Sequence, residues 1–205
     1  MMNIYNLTVQ SYLSSPLGLE LDFAIEDRDT LLACERLLLC RSSSPWVKFG
    51  RIKEVKRALV GSGLFKDFKL RLLWRLKSLA YIEDFGRLTF SIGVLRSRTS
   101  PVVLSVLCHE LGHMWMSQQD FYPTLKEVNR RFKERCVDVG YCELLSPIEL
   151  YAMDLSVKMM ESLLSFAKDT EQKNRLFELI EQEKEKINLV KKEILKINEN
   201  IIWRL

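Results

Sequence analysis

Two histidines in one short run are the residues of this sequence best suited to metal chemistry. The chain has two histidines in total, His109 and His113, and both lie in the run Cys108-His-Glu-Leu-Gly-His113. Side chains four residues apart project from one face of an α-helix, so both imidazoles can reach a single ion. Imidazole nitrogen is a common ligand of Zn²⁺. The spacing therefore predicts a zinc site with these two residues as ligands.

Glu110 lies directly after the first histidine, beside the same helix face. Its carboxylate can hold a water molecule on the metal and accept its proton, because the cation lowers the pKa of that water towards neutrality. The hydroxide formed in this way attacks a peptide carbonyl that the zinc polarises. We therefore expect Glu110 to be the general base of a zinc-dependent metallopeptidase.

A catalytic zinc ion needs a third protein ligand besides a water molecule. Since no histidine remains, this ligand must be a carboxylate or a thiolate, and the downstream candidates are Asp120, Asp138, Cys142, Glu149 and Asp154. Glu149 is best placed, because the small Ala152 on the same expected helix would let that helix approach the motif helix closely. Ser146 and Glu149 are also spaced as a capping box, so the glutamate could instead bind a backbone N–H. Both interpretations of Glu149 are retained.

The elements around the motif can be predicted from local sequence. Ser100 can cap a helix and Pro101 suits its first turn, so the motif helix should run to about Ser117. Before it, Ala80-Tyr-Ile and Arg87–Leu95 flank a turn and are predicted as two strands of a hairpin. The second strand, over residues 88–94, could be the edge that holds an extended substrate or an ordinary core strand.

Further helices are expected to complete an α+β fold that resembles the zincin type, in which a small curled sheet packs on the motif helix. They are predicted from Asp29 to Cys40, from Arg51 to Val60, over residues 64–80, from Thr124 to near Gly140, from Ser146 onwards, and from about Thr170. Residues 1–168 are expected to form the metallopeptidase domain and residues 169–205 a long C-terminal helix. Apolar residues in that helix recur at steps of three and four, a pattern that serves contacts within the chain or in a homodimer.

Composition limits the class of protein. The chain has 205 residues, of which 47% are hydrophobic, as in ordinary globular domains. Its apolar runs are shorter than the roughly 18 residues that a membrane span needs, and its first residues lack a signal-peptide pattern. The five cysteines never form a Cys-x-x-Cys pair, which argues against a disulfide framework or a zinc ribbon. We expect a cytoplasmic protein without a membrane partner.

The stretch from Lys48 to Lys77 is the one marked charge asymmetry. It contains ten basic residues against Glu54 and Asp67, in a chain whose net charge is +4. Such a stretch is typical of a solvated face. A surface for nucleic acid or for an acidic protein is the alternative.

The motif residues resemble those of the ImmA/IrrE family of small gluzincin-type metallopeptidases. The run His109-Glu-Leu-Gly-His113 is followed by Glu149-x-x-Ala-x-x-Leu-Ser-x-x-Met-Met160, where that family usually has Glu-x-x-Ala-x-x-Phe-Ala-x-x-Leu-Leu. The resemblance covers about residues 88–160, with a long connection of 35 residues between the two segments. It implies Glu149 as the third zinc ligand and Glu110 as the base. It also implies limited proteolysis of a helix-turn-helix transcriptional repressor as the activity.

Three other interpretations remain open. The segments His113-Met-Trp115 and Asp138-Val-Gly-Tyr-Cys142 are similar to a second peptidase type, with His-Ala-Trp and Glu-Glu-Gly-x-Cys, and this similarity implies Asp138 as the third ligand. A non-catalytic regulatory or binding protein could use zinc only to staple two helices together. A DNA-linked peptidase resembling the SprT type could use the basic stretch, although the cysteine-rich ribbon of that type is missing.

Overall fold

The computed structural model describes residues 23–74, 80–83, 86–135 and 146–201, and these ranges form a mostly helical α/β structure. The helices are α1 (Arg28–Leu38), α2 (Pro45–Gly61), α3 (Ile92–Ser97), α4 (Ser100–Ser117), α5 (Tyr122–Arg135), α6 (Pro147–Phe166) and α7 (Thr170–Ile201). The strands are β1 (Lys69–Leu73), β2 (Ala80–Glu83) and β3 (Arg87–Ser91). None of the helices in these ranges combines the length and the apolar character that a membrane span requires.

The three strands form one mixed sheet with the order β1-β3-β2. β1 is parallel to β3, with Leu70 opposite Leu88, and β2 is antiparallel to β3, with Ala80 opposite Phe90. The predicted hairpin between residues 80 and 95 is therefore present. Its second strand is shorter than predicted, because the chain turns into α3 at Ile92.

The predicted helix over residues 64–80 is wrong where the structure describes it. Residues 69–73 form β1 instead, and residues 75–79 lie outside the described part. Within β1, Leu70 and Leu72 are partly buried, while Lys69 and Arg71 are exposed. This alternation has the two-residue period of a strand, and pairing with β3 satisfies its backbone groups.

The prediction that residues 88–94 form a substrate-binding edge is also wrong. β3 pairs on both sides, so its backbone groups are already used within the sheet. The edges of the described sheet are β1 and β2, and β2 lies against α4.

The motif helix α4 runs through Ser117, as the sequence predicts. Its cap is Thr99 rather than Ser100, and the buried Ser100 hydroxyl donates a hydrogen bond to the carbonyl of Cys40. The inner face of α4 is apolar, with Leu104, Leu107, Leu111 and Met114 almost fully buried. This burial fixes the rotation of the helix, and so determines which way the motif side chains project.

The long helix α7 packs on α6 and α4 of the same chain. Leu176, Ile180 and Ile187 from its apolar seam are buried in this contact. The predicted packing of the seam within the chain is therefore present for these three residues. A homodimer through α7 stays a prediction, as does the domain boundary near residue 168.

Candidate metal centre

Helix α4 presents His109 and His113 side by side. The two rings are 4.8 Å apart between centroids and nearly perpendicular, and their Nε2 atoms lie 3.2 Å apart. Both side chains keep some exposure, 23% for His109 and 17% for His113. The site is therefore held by the helix but open to solvent on one side, as a substrate or a water molecule requires.

Glu149 comes from the first turn of α6. Ser146 caps this helix by accepting a hydrogen bond from the Glu149 backbone N–H at 3.4 Å, and Pro147 occupies the first turn. The Glu149 carboxylate lies between the histidines, with Oε2 at 3.2 Å from Nε2 of His109 and Oε1 at 3.3 Å from Nε2 of His113. The serine half of the capping box is thus present, while the carboxylate contacts the imidazoles.

The spacing of the two imidazole nitrogens fits a tetrahedral zinc ion. Zinc bonds to nitrogen and oxygen of about 2.0–2.2 Å, at tetrahedral angles, separate neighbouring ligand atoms by about 3.3 Å. The two Nε2 atoms lie 3.2 Å apart, and each lies 3.2 or 3.3 Å from a different oxygen of the Glu149 carboxylate. With one ligand atom taken from each residue, the three atoms lie within 4.8 Å of one another. Within the described ranges, His109, His113 and Glu149 are the group of side chains that can hold a metal ion. Two imidazoles and a carboxylate are a donor set compatible with zinc.

Charge in the site is arranged around Glu149. Burial raises the pKa of its carboxyl, but hydrogen bonds and charges from both histidines outweigh burial and hold this pKa far below its usual range. Burial lowers the pKa of His109, but the neighbouring Glu149 outweighs it and raises this pKa. The charge of Glu149 therefore favours a proton on His109 when no metal is bound. A metal ion would replace that proton.

Glu110 has a more basic carboxylate than an exposed glutamate. Burial is the main cause of its raised pKa, and the charge of Glu149 adds to it, against the opposite effect of the two histidines. A carboxylate with a raised pKa is a better proton acceptor near neutral pH. Glu110 therefore has the electrostatic environment of a general base.

The close approach of α4 and α6 depends on two small residues. A Cβ atom added to Gly112 would lie 2.8 Å from the carbonyl oxygen of Ala152 and 3.3 Å from Cβ of Leu155. The predicted close approach of the two helices at Ala152 is therefore present. Gly112 is the counterpart of Ala152 on α4, which the sequence analysis missed. The available signal was a glycine inside a helix, where this residue is otherwise unfavourable.

The other predicted ligands do not join this group where the structure describes them. Asp120 is exposed in the turn after α4, and Asp154 is exposed on α6, with Oδ2 at 3.9 Å from Nζ of Lys158. Asp138 and Cys142 lie outside the described residues. Cys108, next to His109, is buried, and burial raises the pKa of its thiol well above the usual range, so it is not disposed to ligate as a thiolate.

Glu183 is a buried carboxylate that the sequence analysis treated only as an interruption in the apolar pattern of the C-terminal helix. Its side chain is 6% exposed and pairs with Nζ of Lys186 at 2.8 Å. Its charge contributes to the raised pKa of His109 and to that of Cys108. Helix α7 therefore places a negative charge within electrostatic reach of the metal centre. The signal in the sequence was the interruption itself.

Comparisons of the chain with protein-family models, with curated proteins and with solved structures give no match. The roles of the site residues are therefore inferred from their own chemistry. In the described part of the chain, His109, His113 and Glu149 offer three donors to a metal ion. Structural zinc sites usually have four protein ligands, and catalytic sites usually have three.

Proposed function

We propose that this protein is a zinc-dependent metallopeptidase of the zincin type that hydrolyses peptide bonds in a protein substrate. The observation that carries the proposal is the meeting of His109, His113 and Glu149, whose ligand atoms lie within 4.8 Å of one another, with Glu110 on the helix of the two histidines. A metal site alone does not require catalysis. The additional carboxylate beside an open metal position is what favours hydrolysis.

Within the chain, Glu110 would carry out the proton transfers of hydrolysis. A bound zinc would supply a Lewis acid and make water acidic enough to react near neutral pH. Glu110 accepts the proton of the attacking water and then donates it to the departing amine. The raised pKa of Glu110 suits both transfers, because the group must bind the proton and release it again.

The β2 edge of the described sheet offers a place for the peptide. β2 is an edge strand of the described sheet and lies against α4. An extended substrate segment can pair with such an edge through backbone hydrogen bonds, which hold the scissile bond beside the motif helix. The resemblance of the motif residues to the ImmA/IrrE family favours a helix-turn-helix transcriptional repressor as the substrate.

We place this activity in the cytoplasm. Cys34, Cys40 and Cys108 are free thiols in the described part of the chain. Burial raises the pKa of Cys34 to about 12, so this thiol is unreactive. Unpaired cysteines are typical of proteins from reducing compartments.

The first test is zinc content, measured by elemental analysis on protein purified without chelator. We expect about one zinc per chain in the unmodified protein and a loss of zinc in Glu149→Ala. Asp154→Ala is the matched control, because it removes a carboxylate from the same helix outside the site. Asp138→Ala tests the alternative ligand, and a loss of zinc in that variant alone would contradict the role of Glu149.

The second test is cleavage of a candidate repressor and of quenched fluorescent peptides by the zinc-loaded protein. Hydrolysis that a chelator stops and zinc restores would support the proposal. Protein that takes up no zinc after reconstitution would contradict the metal site and the enzyme together.

A zinc-stapled binding protein is the second candidate, because the ligands come from two helices and the ion would join α4 to α6. The two functions differ at the fourth position of the metal. A hydroxamate, which chelates zinc, should bind to an open site and inhibit it. Zinc-loaded protein that neither binds hydroxamate nor cleaves any peptide would favour the staple.

A further inference from the structure

A second concave site lies at the amino end of α4. It is a cleft of about 430 Å³, lined by the segment after α1 (38–43), by the connection from α3 into α4 (96–101), by Lys48 from α2 and by Arg175 from α7. We call it the basic cleft. Ser100 and His109 are about 14 Å apart along α4, at about 1.5 Å per residue, so the cleft is separate from the metal centre.

The basic cleft has an excess of positive charge. Its cationic side chains are Arg41, Lys48, Arg96, Arg98 and Arg175, and no acidic residue is among the described residues that line it. Arg175 also pairs with Glu171 on its own helix. Another cleft, of about 490 Å³, has residues of both signs, because it is lined by Asp27, Asp29 and Glu54 together with Arg36 and Arg57. Acidic and basic side chains nearly offset each other in that cleft, whereas the basic cleft has cations alone.

Lys48 is the most deeply buried charge of the basic cleft, with 4% of its surface exposed. Its Nζ donates hydrogen bonds to the carbonyl of Leu95 at 2.9 Å and to the carbonyl of Arg98. Both acceptors are neutral, and Lys48 has no ion pair in the described part of the chain. A buried charge is costly unless an opposite charge accompanies it. An anion in the cleft would provide that charge.

The groups around Lys48 are those that recognise phosphate. Guanidinium groups bind phosphate oxygens in a bidentate manner, and three of the four arginines, Arg41, Arg96 and Arg98, are exposed. Hydroxyl groups of Ser42, Ser43 and Thr99 also line the cleft. The amino end of α4 adds partial positive charge, and the Thr99 side chain makes no capping hydrogen bond there.

We propose that the basic cleft binds a small phosphate-bearing anion, of the size of pyrophosphate or a nucleoside polyphosphate. Its volume of about 430 Å³ lies in the range of small-molecule sites. The cations converge on one concavity from four separate segments, whereas a nucleic-acid surface usually presents them along an open stripe. The ligand would bind at one end of the helix that carries the metal ligands at the other.

Calorimetric titration with sodium pyrophosphate and with ATP, without added metal, tests the proposal directly. We expect binding to the unmodified protein and a loss of about a hundredfold in affinity for the double variant Arg41→Gln/Arg98→Gln, since each charge-assisted contact is worth about tenfold. The control is Lys53→Gln/Arg57→Gln, which removes the same charge from the outer face of α2. Its affinity should stay within about threefold of the unmodified protein if local contacts dominate.

Three outcomes would overturn the proposal. The first is no binding of either anion at millimolar concentration. The second is an equal loss in both double variants, which would indicate general attraction to a basic surface. The third is tighter, length-dependent binding of a single-stranded oligonucleotide that needs the same arginines, which would assign the cleft to nucleic acid. Zinc content should be unchanged in every variant, so failure here is distinguishable from failure of the metallopeptidase proposal.

Discussion

At the residue scale, a proton and a metal ion would compete for the donor atoms of His109, His113 and Glu149. The Glu149 carboxylate lies at hydrogen-bonding distance from both imidazoles, at 3.2 and 3.3 Å, and a zinc ion would require the same atoms. These contacts hold the three side chains together. The imidazole nitrogen pair already has the spacing of zinc ligands, and the carboxylate lies beside both nitrogens.

The pH dependence of stability should reverse between the metal-free and the zinc-loaded protein. Because the pKa of His109 is raised, its contribution to the stability of the fold is complete below the ordinary pKa of 6.5. This contribution is lost as the pH rises through the raised pKa. Because the pKa of Glu149 is lowered, its carboxylate contributes to the stability of the fold above the ordinary pKa of 4.5. This contribution is lost as the pH falls towards the lowered pKa. The pair thus stabilises the metal-free fold most between these two ordinary values.

Calorimetric melting temperatures with chelator and with zinc, from pH 5.5 to about 8, check this expectation. Without metal the melting temperature should fall as His109 loses its proton. With zinc it should rise, because deprotonated ligands bind the ion more tightly. Two parallel curves would contradict the shared site.

Replacement of Glu110 should separate catalysis from metal binding. Glu110→Gln removes the proton acceptor but keeps the shape of the side chain, so kcat should fall by about 10²–10⁴-fold while zinc content stays unchanged. Glu178→Gln, an exposed change on α7, is the control and should retain full activity. Initial rates on a quenched fluorescent peptide, measured with elemental analysis of each variant, distinguish the two effects. Full activity in Glu110→Gln would remove this residue from the mechanism.

The contact between α4 and α6 determines the ligand geometry at the element scale. Gly112→Ala should weaken zinc binding, because its Cβ would lie 2.8 Å from the Ala152 carbonyl and α6 would have to move. The expected loss of stability is about 1–3 kcal/mol, as for overpacked cores. Denaturant unfolding and zinc titration measure the two effects.

Gly50→Ala is the matched control for that change. Gly50 is also helical, in α2, but an added Cβ would meet nothing within 4 Å. This variant should gain about 0.5–1 kcal/mol from the higher helix propensity of alanine. If both variants behave alike, the contact at Gly112 does not control the site.

Sequence predicts those elements whose signals are local. Capping residues and helical periodicity located α4 and the start of α6, because these signals act within one or two turns. Residues 69–73 were predicted as helix because five residues in a longer apolar stretch fit both periods, and only pairing with β3 decides between them. The central position of β3 likewise depends on its pairing with β1 and β2, which the sequence of β3 alone does not indicate.

The residues of the candidate site also differ in how far local sequence predicts them. The histidine pair and Glu110 follow from spacing on one helix. The location of Glu149 beside them needs the approach of two helices, which Ala152 indicated and Gly112 completes. Lys48 carries no local signal of burial, since a charged residue in a helix is usually exposed, and Glu183 is marked only by its place in the apolar pattern of α7. Their environments arise only when distant elements meet.

Metal should stabilise the whole molecule and not only its site. The proposed ion would join α4 to α6, and α6 packs on α5 and α7. A ligand that binds only the folded chain stabilises it by about 4 kcal/mol at a thousand times its Kd. Removal of zinc by chelator should therefore lower the melting temperature by several degrees, and Glu149→Ala should show no such response.

Helix α7 offers a test of oligomeric state. Ile180 is buried against the same chain, so Ile180→Ala should cost about 2–4 kcal/mol at any protein concentration. Leu189→Ala, at an exposed position of the same helix, should change stability by less than about 0.5 kcal/mol. Urea unfolding at two protein concentrations measures both. A midpoint that rises with concentration would support the predicted homodimer instead.

The order of the proposed ligands along the chain has a consequence for biosynthesis. His109 and His113 are complete as a pair once α4 forms, whereas Glu149 follows after 35 further residues. A growing chain therefore presents two donors before the third has been synthesised, and closure of the intervening segment costs entropy that the third contact must offset. Zinc captured early would remain exchangeable, and retention would begin only when α6 docks. Metal loading would then report that translation has passed residue 149 and that the two helices have met.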